Sequence, residues 1–309
     1  MLIGLNAVIV AVTEEVPRIL SIQLGKRNIQ AAPALPYGPL DVDGDPTLEL
    51  GLRRWVREQT GINLGYTEQL YTFGDRNRNS GESRTVSVAY LALIREQIPK
   101  VKTARWSDWY SFLPWEDWRK ERPKILDEKI LPALEEWMDS SPQQRQNRRE
   151  RIDVCFGSGG ARWNWERALE RYELLFEAKL VSESWRENPK KRTLNQSHNG
   201  LGKPMFLDHR RIIVTALDRI RGKLRYRPVI FELLPPQFTL LELQKVVEAL
   251  EGFQIHKQNF RRLIEQAGLV EGTSAVNLNT GGRPAKLFRF RRDVLRERPT
   301  PGVGLPGIP

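Results

Sequence analysis

The tightest local constraint in this chain lies in residues 38–62, GPLDVDGDPTLELGLRRWVREQTGI. Asp43-Gly44-Asp45-Pro46 is a turn-forming run, Thr47 can cap a helix start, and Gly61 can end that helix in a left-handed conformation. Leu48, Leu52, Trp55 and Val56 recur between them at helical spacing, which predicts a loop feeding a short helix with one apolar face. Such a face needs a surface to cover. Residues 2–12 and 18–24 are aliphatic and β-branched, and the turn-like residues 13–17 between them predict a hairpin. Pro33, Pro36 and Pro39 carry an extended segment into the helix, and residues 66–73 and 85–94 read as two further strands. The order strand, strand, helix, strand, strand suits a mixed sheet with the helix against it, an α/β sandwich.

A length of 309 residues leaves room for two domains with real cores, and 40% hydrophobic with 28% charged residues is an ordinary globular composition. A formal net charge of +11 points to a polyanionic partner, with nucleic acid the simplest choice. The single Cys155 excludes an intramolecular disulfide, and three histidines give no zinc-ligand cluster. No apolar stretch approaches the roughly 20 residues of a membrane span, and residues 2–12 lack a basic start and a cleavage site. The expectation is a cytoplasmic protein with no membrane partner.

The stretch from Arg54 to Ile62 resembles the second half of the Nudix box, the loop-helix-loop in which diphosphate-cleaving hydrolases present glutamates to a divalent metal. Arg54, Val56, Gly61 and Ile62 keep the scaffold positions. Of the acidic positions only Glu58 is kept; Trp55 and Gln59 replace two others, and the upstream glutamate position falls on Pro46. A lone carboxylate beside a neutral amide is a poor anchor for Mg²⁺, so the resemblance implies the fold without catalytic or metal-binding residues. Standing alone, the same residues also fit an ordinary amphipathic helix ended by glycine.

Residues 74–84, GDRNRNSGESR, form a polar connector between two strands. By composition they suit a solvated hairpin loop, in which Arg76, Arg78 and Arg84 can also converge on a phosphate. Leu70–Asp75, the arginines, and Val86–Leu93 together resemble the matching region of the NrtR family of Nudix-related transcriptional regulators. The resemblance implies a degenerate Nudix domain that senses a nucleotide of NAD metabolism. With the box helix it names Arg54, Glu58, Asp75, Arg76, Arg78 and Arg84 as effector-binding candidates; ATP, NAD(P) and ADP-ribose stay open, and no cofactor is required. From Trp106 the chain crowds with tryptophans, followed by helical patterns over 123–138, 142–153 and 163–184. Those aromatics fit either a buried joint between subdomains or nucleobase stacking. NrtR proteins usually lack this insertion, which is similar to that of the longer NadQ relatives. Asp208–Arg227 reads as the closing helix of the Nudix domain, apolar on one side and arginine-rich on the other, with His209 at its start.

The last third has a second signature. Thr239 with Glu242 forms a capping box ahead of Leu240, Leu243, Val246, Val247 and Leu250, and Gly252 ends that helix. A second helix over 256–267 turns Phe260, Leu263 and Ile264 inward and leaves Lys257, Gln258, Asn259, Arg261 and Arg262 outward. A hairpin over 274–277 and 286–290 then carries Arg283 and Lys286 beside Gly281-Gly282, completing a winged helix-turn-helix pattern. Amide side chains pair with adenine edges, and guanidinium groups with guanine or phosphate, so these seven polar residues are the DNA-binding candidates. This module closely resembles the C-terminal domain of NrtR-type regulators. The predicted organisation is a Nudix-like effector-sensing domain (1–112), a helical insertion and linker (113–203), a closing helix (204–230), a winged helix-turn-helix (231–298) and a disordered tail (299–309). The expected function is a repressor of NAD-biosynthesis genes acting as a homodimer on a palindromic DNA operator. The alternative is a Nudix hydrolase with an accessory nucleic-acid-binding module.

Overall fold

A strand flanked on both sides by others and covered on both faces must be apolar at consecutive positions, and residues 5–11 are buried without interruption. They belong to β1 (Leu2–Thr13), the centre of a mixed sheet in the computed structural model, which describes residues 1–24, 32–75, 84–185, 201–278, 284–297 and 302. β1 pairs antiparallel with β2 (Val16–Ile22) through its second half and with β3 (Tyr37–Pro39) through its first. It runs parallel to β5 (Thr85–Leu93), which pairs with β4 (Thr67–Phe73). β6 (Ala104–Asp108) closes the far edge, giving the order β4-β5-β1-β2-β6. The mixed sheet is the expected one, with two short strands that hydropathy did not reveal: β3 is three residues with Gly38 and Pro39, and β6 begins the tryptophan-rich stretch.

Alternation along the strands divides the interior into two layers. Leu5, Ala7 and Ile9 face α1 (Leu48–Thr60) with its Leu52 and Val56. Val8, Val10, Ala89 and Leu91 face the other way, into the larger core that holds Ile213, Ala216 and Leu217 of α5 (His209–Leu224). The helix thus has a sheet to cover, as its apolar face requires.

The inserted segment folds onto that second layer. A π-helical turn at Leu126–Ile130 runs into α2 (Leu131–Asp139), followed by α3 (Arg145–Phe156) and α4 (Ala168–Glu177). The pattern over 163–184 is not one helix; short 3-10 turns at Trp165–Arg167 and Ser182–Trp185 bracket α4. The tryptophans take the structural role: Trp109 and Trp115 are fully buried, and Trp118, Trp163, Trp165 and Phe253 form a chain of ring contacts. Three of the four arginines of α3 are spent locally, Arg145 on Asp139, Arg151 on Glu177 and Arg148 over Trp137.

At the junction of all parts lies a buried ionic group. Glu116 has no exposed surface, and its carboxylate accepts from Arg171 of α4 at 2.6 and 2.9 Å and from Arg221 of α5 at 2.5 Å. Burial raises the Glu116 pKa, but the two guanidinium groups outweigh it and hold the carboxyl below the usual range. Arg221 also donates to the Leu250 carbonyl at 3.2 Å, on α6 (Leu240–Glu251) of the C-terminal unit. Tyr110 Oη donates to Ala249 O at 2.9 Å, and Trp118 N to Gly252 O at 2.7 Å. The arginine-rich side of α5 is therefore not a solvated face: Arg210 and Arg221 are buried and Arg211 is paired with Glu173. No helix among the described residues is long and apolar enough to cross a membrane.

Two outcomes follow from this junction. Glu116→Gln leaves two buried cations without a counter-charge, so the urea unfolding free energy should drop by about 3–5 kcal/mol; a change under about 1 kcal/mol would mean the group is hydrated. Burial pushes Glu251 up to about 7, against the pull of Arg221 and Arg225, and pushes Asp218 up to about 6. A carboxyl whose folded pKa is raised gives stability that is present below the unfolded value and lost as pH rises through the folded one. Stability should therefore fall between about pH 4 and 7, and Glu251→Gln should flatten the upper part of that slope in thermal scans.

Candidate effector groove and DNA interface

The loop before α1 is wound on carboxylates. Asp41 Oδ1 accepts from the amides of Asp43 and Gly44 at 3.2 and 3.1 Å, and Asp45 Oδ2 accepts from Asp41 N at 2.9 Å. Thr47 Oγ1 caps the helix by accepting from Leu50 N at 3.1 Å, and Gly61 ends it at φ 72°. Arg54 then locks loop to helix through a bidentate contact with Asp45 at 2.9 and 2.8 Å. This contact holds Asp45 below its ordinary pKa. Gly51 makes room for it, since a Cβ there would stand 2.5 Å from the Asp45 carboxylate.

The positions where the box pattern calls for acids carry structural clamps instead. Trp55 Nε1 donates to Pro39 O at 2.8 Å, and its ring lies against Gly38, where an added Cβ would come within 2.0 Å. Gln59 meets one residue twice: Nε2 donates to Tyr37 O at 2.8 Å and Oε1 accepts from Tyr37 N at 3.0 Å. Both residues hold β3 in the sheet, and a carboxylate at 59 has no proton to give the Tyr37 carbonyl. Glu58 remains half exposed, 3.7 Å from Arg54. Among the described residues no three His, Cys, Asp or Glu gather as a metal site.

The effector candidates do not form one cluster. Arg54 and Glu58 share the outer face of α1, whereas Asp75 is taken by Arg211 of α5 at 2.7 Å and Arg84 donates to Gly74 O at 3.0 Å. Arg76 and Arg78 lie outside the described residues. A groove of about 280 Å³ opens beside Arg54, lined also by Arg53, Arg57, Asn63 and Leu64. Arg53 spends its donors on Glu49, Gly65 O and Thr67 Oγ1, leaving the exposed Arg57 guanidinium without a partner among the described residues. Arg57 escaped the sequence reading because it stands at an unrestricted box position. His209 starts α5 as expected and is fully buried; its Nδ1 accepts from Leu35 N at 2.9 Å.

In the C-terminal unit the capping box is present, with Thr239 Oγ1 accepting from Glu242 N at 3.1 Å and Glu242 accepting from Thr239 N at 2.6 Å. Gly252 ends α6 at φ 82°, and α7 (Lys257–Ala267) follows on a His256 cap. The angle between the helices is held by residues the pattern did not reveal: Gln244 Nε2 donates to Ile255 O and Glu248 Oε1 accepts from Ile255 N, at 2.8 and 2.9 Å. Phe260 and Ile264 plug the core. Lys257, Gln258, Asn259, Arg261 and Arg262 are all exposed, and no side chain among them has a partner in the described chain. Strands β7 (Val270–Asn277) and β8 (Ala285–Phe290) form the hairpin, tied to the start of α6 by paired Phe238–Phe288 backbone bonds of 2.9 and 2.8 Å. Lys286 is exposed on it, and Arg283 lies outside the described residues.

Residues 230–290 match the family profile of the NrtR DNA-binding winged helix domain. The C-terminal unit is therefore a winged helix of the NrtR kind. The chain aligns with an ADPR-responsive transcriptional repressor of Acinetobacter baylyi at 24% identity, over 88% of this chain and 75% of that protein. Its fold is similar to that of Shewanella oneidensis NrtR in complex with a 27mer DNA, at TM-score 0.57 and 22% identity over 95% of both chains. A MutT/nudix family protein from Enterococcus faecalis shares the fold at TM-score 0.53 and 17% identity, over 94% of this chain and 86% of that one. The architecture is thus a Nudix-like sandwich with a helical insertion, followed by a winged helix-turn-helix.

In this Nudix-like sandwich, restoring an acid to the box should weaken the fold. Gln59→Glu should cost about 1–3 kcal/mol at pH 7, because the Tyr37 carbonyl loses its donor. Part of the loss should return below about pH 4.5, where the protonated carboxyl can donate again. Denaturant titrations at the two pH values decide it, and an unchanged or raised midpoint at pH 7 would remove the clamp role.

Proposed function

We propose that this protein is a transcriptional repressor that reads duplex DNA with α7 and the wing and senses ADP-ribose or a related nucleotide with its Nudix-like sandwich. One observation carries the reading: on a unit matching the NrtR winged helix, a solvent-facing row of Lys, Gln, Asn and Arg on α7 has no partner of its own. An unsatisfied row of that composition at a helix start fits the major groove, where amides and guanidinium groups find base edges. The Acinetobacter relative, described as ADPR-responsive, supports ADP-ribose over ATP or NAD(P) as effector. NAD-biosynthesis genes are the matching targets. The groove lined by Arg54 and Arg57, with Glu58 on the same helix face, is the place for the effector phosphates. Trp55 and Gln59 as clamps support binding without hydrolysis. One winged helix covers half a site, so we infer a homodimer on a palindromic operator.

Reading and anchoring should separate on DNA. Gln258→Ala or Asn259→Ala should cost about 1–3 kcal/mol on the operator and little on scrambled duplex, because base-edge contacts discriminate. Arg283→Ala or Lys286→Ala should weaken both duplexes alike and lower the salt slope by about one unit per lost phosphate contact. Affinity measured against salt for both duplexes tests this, and wing variants that changed only operator binding would refute the assignment. Incubation with ADP-ribose and Mg²⁺ tests the sensor: turnover at ordinary enzyme rates would favour a hydrolase.

A further inference from the structure

We propose that the cleft between the end of α5 and the base of the wing is a second anion site, taking a polyphosphate chain such as that of a nucleoside triphosphate. The cleft encloses about 1190 Å³ and is walled by both units of the molecule. None of the α7 candidates lines it, nor does any residue of α1, so it is a place apart from the DNA face and the box groove.

Its charges do not balance. Lys223 is neutralised by Glu68, and Arg289 by Glu271. Asp293 stands 4.0 Å from Arg296, leaving Glu232 as the one lining carboxylate with no ion pair among the described residues. Against it stand Arg95, Arg227 and Arg292, all exposed at the cleft and with no side-chain partner among the described residues. Like charges gathered on the walls of one concave surface repel each other until an anion joins them, and a low-dielectric wall concentrates their field. Guanidinium groups match phosphate oxygens two bonds at a time.

The same lining carries aromatic rings. Phe231 stacks on Phe290 with centroids 4.4 Å apart and planes 27° from parallel, and neither ring is fully buried. A partly buried ring pair in a lining that also carries cations suits a planar base attached to the phosphate chain. Arg95 and Arg227 belong to the sandwich side and Arg292 to the winged-helix side, so a chain of phosphates held by both ties the pose of one unit to the other. A ligand that favours one arrangement shifts the population toward it, and operator affinity moves with occupancy.

The test uses the full-length chain with two probes, ATP and inorganic tripolyphosphate, titrated calorimetrically at about 0.15 M salt. Arg227→Ala with Arg292→Ala should bind both probes tenfold or more weakly while keeping its thermal midpoint, and the Lys versions of both sites should recover part of the affinity. Arg54→Ala with Arg57→Ala, on the box groove, should leave tripolyphosphate binding intact. ATP binding tighter than tripolyphosphate identifies a nucleotide with its base on the Phe231–Phe290 wall, and equal affinities identify recognition of the phosphate chain alone. The proposal is overturned if neither probe binds the wild-type chain, or if the cleft variant binds both unchanged. It also falls if the cleft variant loses affinity only for scrambled duplex, its salt slope dropping about one unit per arginine, because the cleft then belongs to DNA. Loss of ADP-ribose binding in the box variant alone bears on the sensor and not on this cleft.

Discussion

Everything in this molecule converges on one carboxylate. Glu116, carried by the turn Pro114–Glu116, lies between Arg171 of the insertion and Arg221 of the closing helix, with no exposed surface on any of the three side chains. Removing three ions from water is costly, and only the closeness of opposite charges together with full hydrogen bonding offsets it. The remaining donors are used: Arg171 also reaches Cys155 O and Asn164 O, and Arg221 reaches Trp165 O and Leu250 O. The group is therefore directional in a way apolar packing is not. It accepts one relative placement of sandwich, insertion and winged helix, because a shift of about an ångström at any partner leaves a buried charge short of bonds.

A second contact joins the same parts further out. The β1–β2 turn places Glu14 and Glu15 at φ 50° and 63°, a left-handed pair that glycine or asparagine would adopt more easily. The turn is held from outside, by Arg119 donating to Glu15 O at 2.5 Å and by Lys245 of α6 at 3.3 Å from the Glu15 carboxylate. The tip of the β1–β2 turn thus touches the first helix of the winged-helix unit directly. With Arg221, Tyr110 and Trp118 on the C-terminal end of α6, that helix is gripped along its length by the sandwich and the insertion.

What the sequence revealed and what it hid divide along a physical line. Local and periodic signals survived: the capped helix ending at Gly61, the four long strands, the Thr239–Glu242 capping box and the inward Phe260 and Ile264. Signals that depend on distant partners did not. Arg221 and Arg210 look like members of a solvated arginine face until Glu116 and Glu183, 105 and 27 positions away, come beside them. β3 and β6 are too short to declare themselves, and β3 exists as a strand because Trp55 and Gln59 reach back to it. The same two residues explain the lost box acids: the substitutions looked like simple losses in sequence and turn out to hold the sheet. Among the site candidates, solvent-facing residues of α7 were readable from spacing, whereas Arg57 and the unpaired arginines of the interdomain cleft depend on which neighbours failed to supply a carboxylate.

The closing helix has a consequence for how the chain is made. β1 emerges first, yet its parallel partner β5 comes about eighty residues later, and the helix that covers the second face of the sheet, His209–Leu224, emerges after the whole insertion. Until then Val8, Val10, Ala89 and Leu91 have no permanent cover, so the sandwich stays incomplete through two thirds of synthesis. The winged helix, built from local contacts between neighbouring helices and one hairpin, follows immediately and folds onto a surface finished moments before. Synthesis order therefore works as a checkpoint: a chain that fails to complete the sandwich offers α6 no docking surface, and the winged-helix unit is not set in place without it.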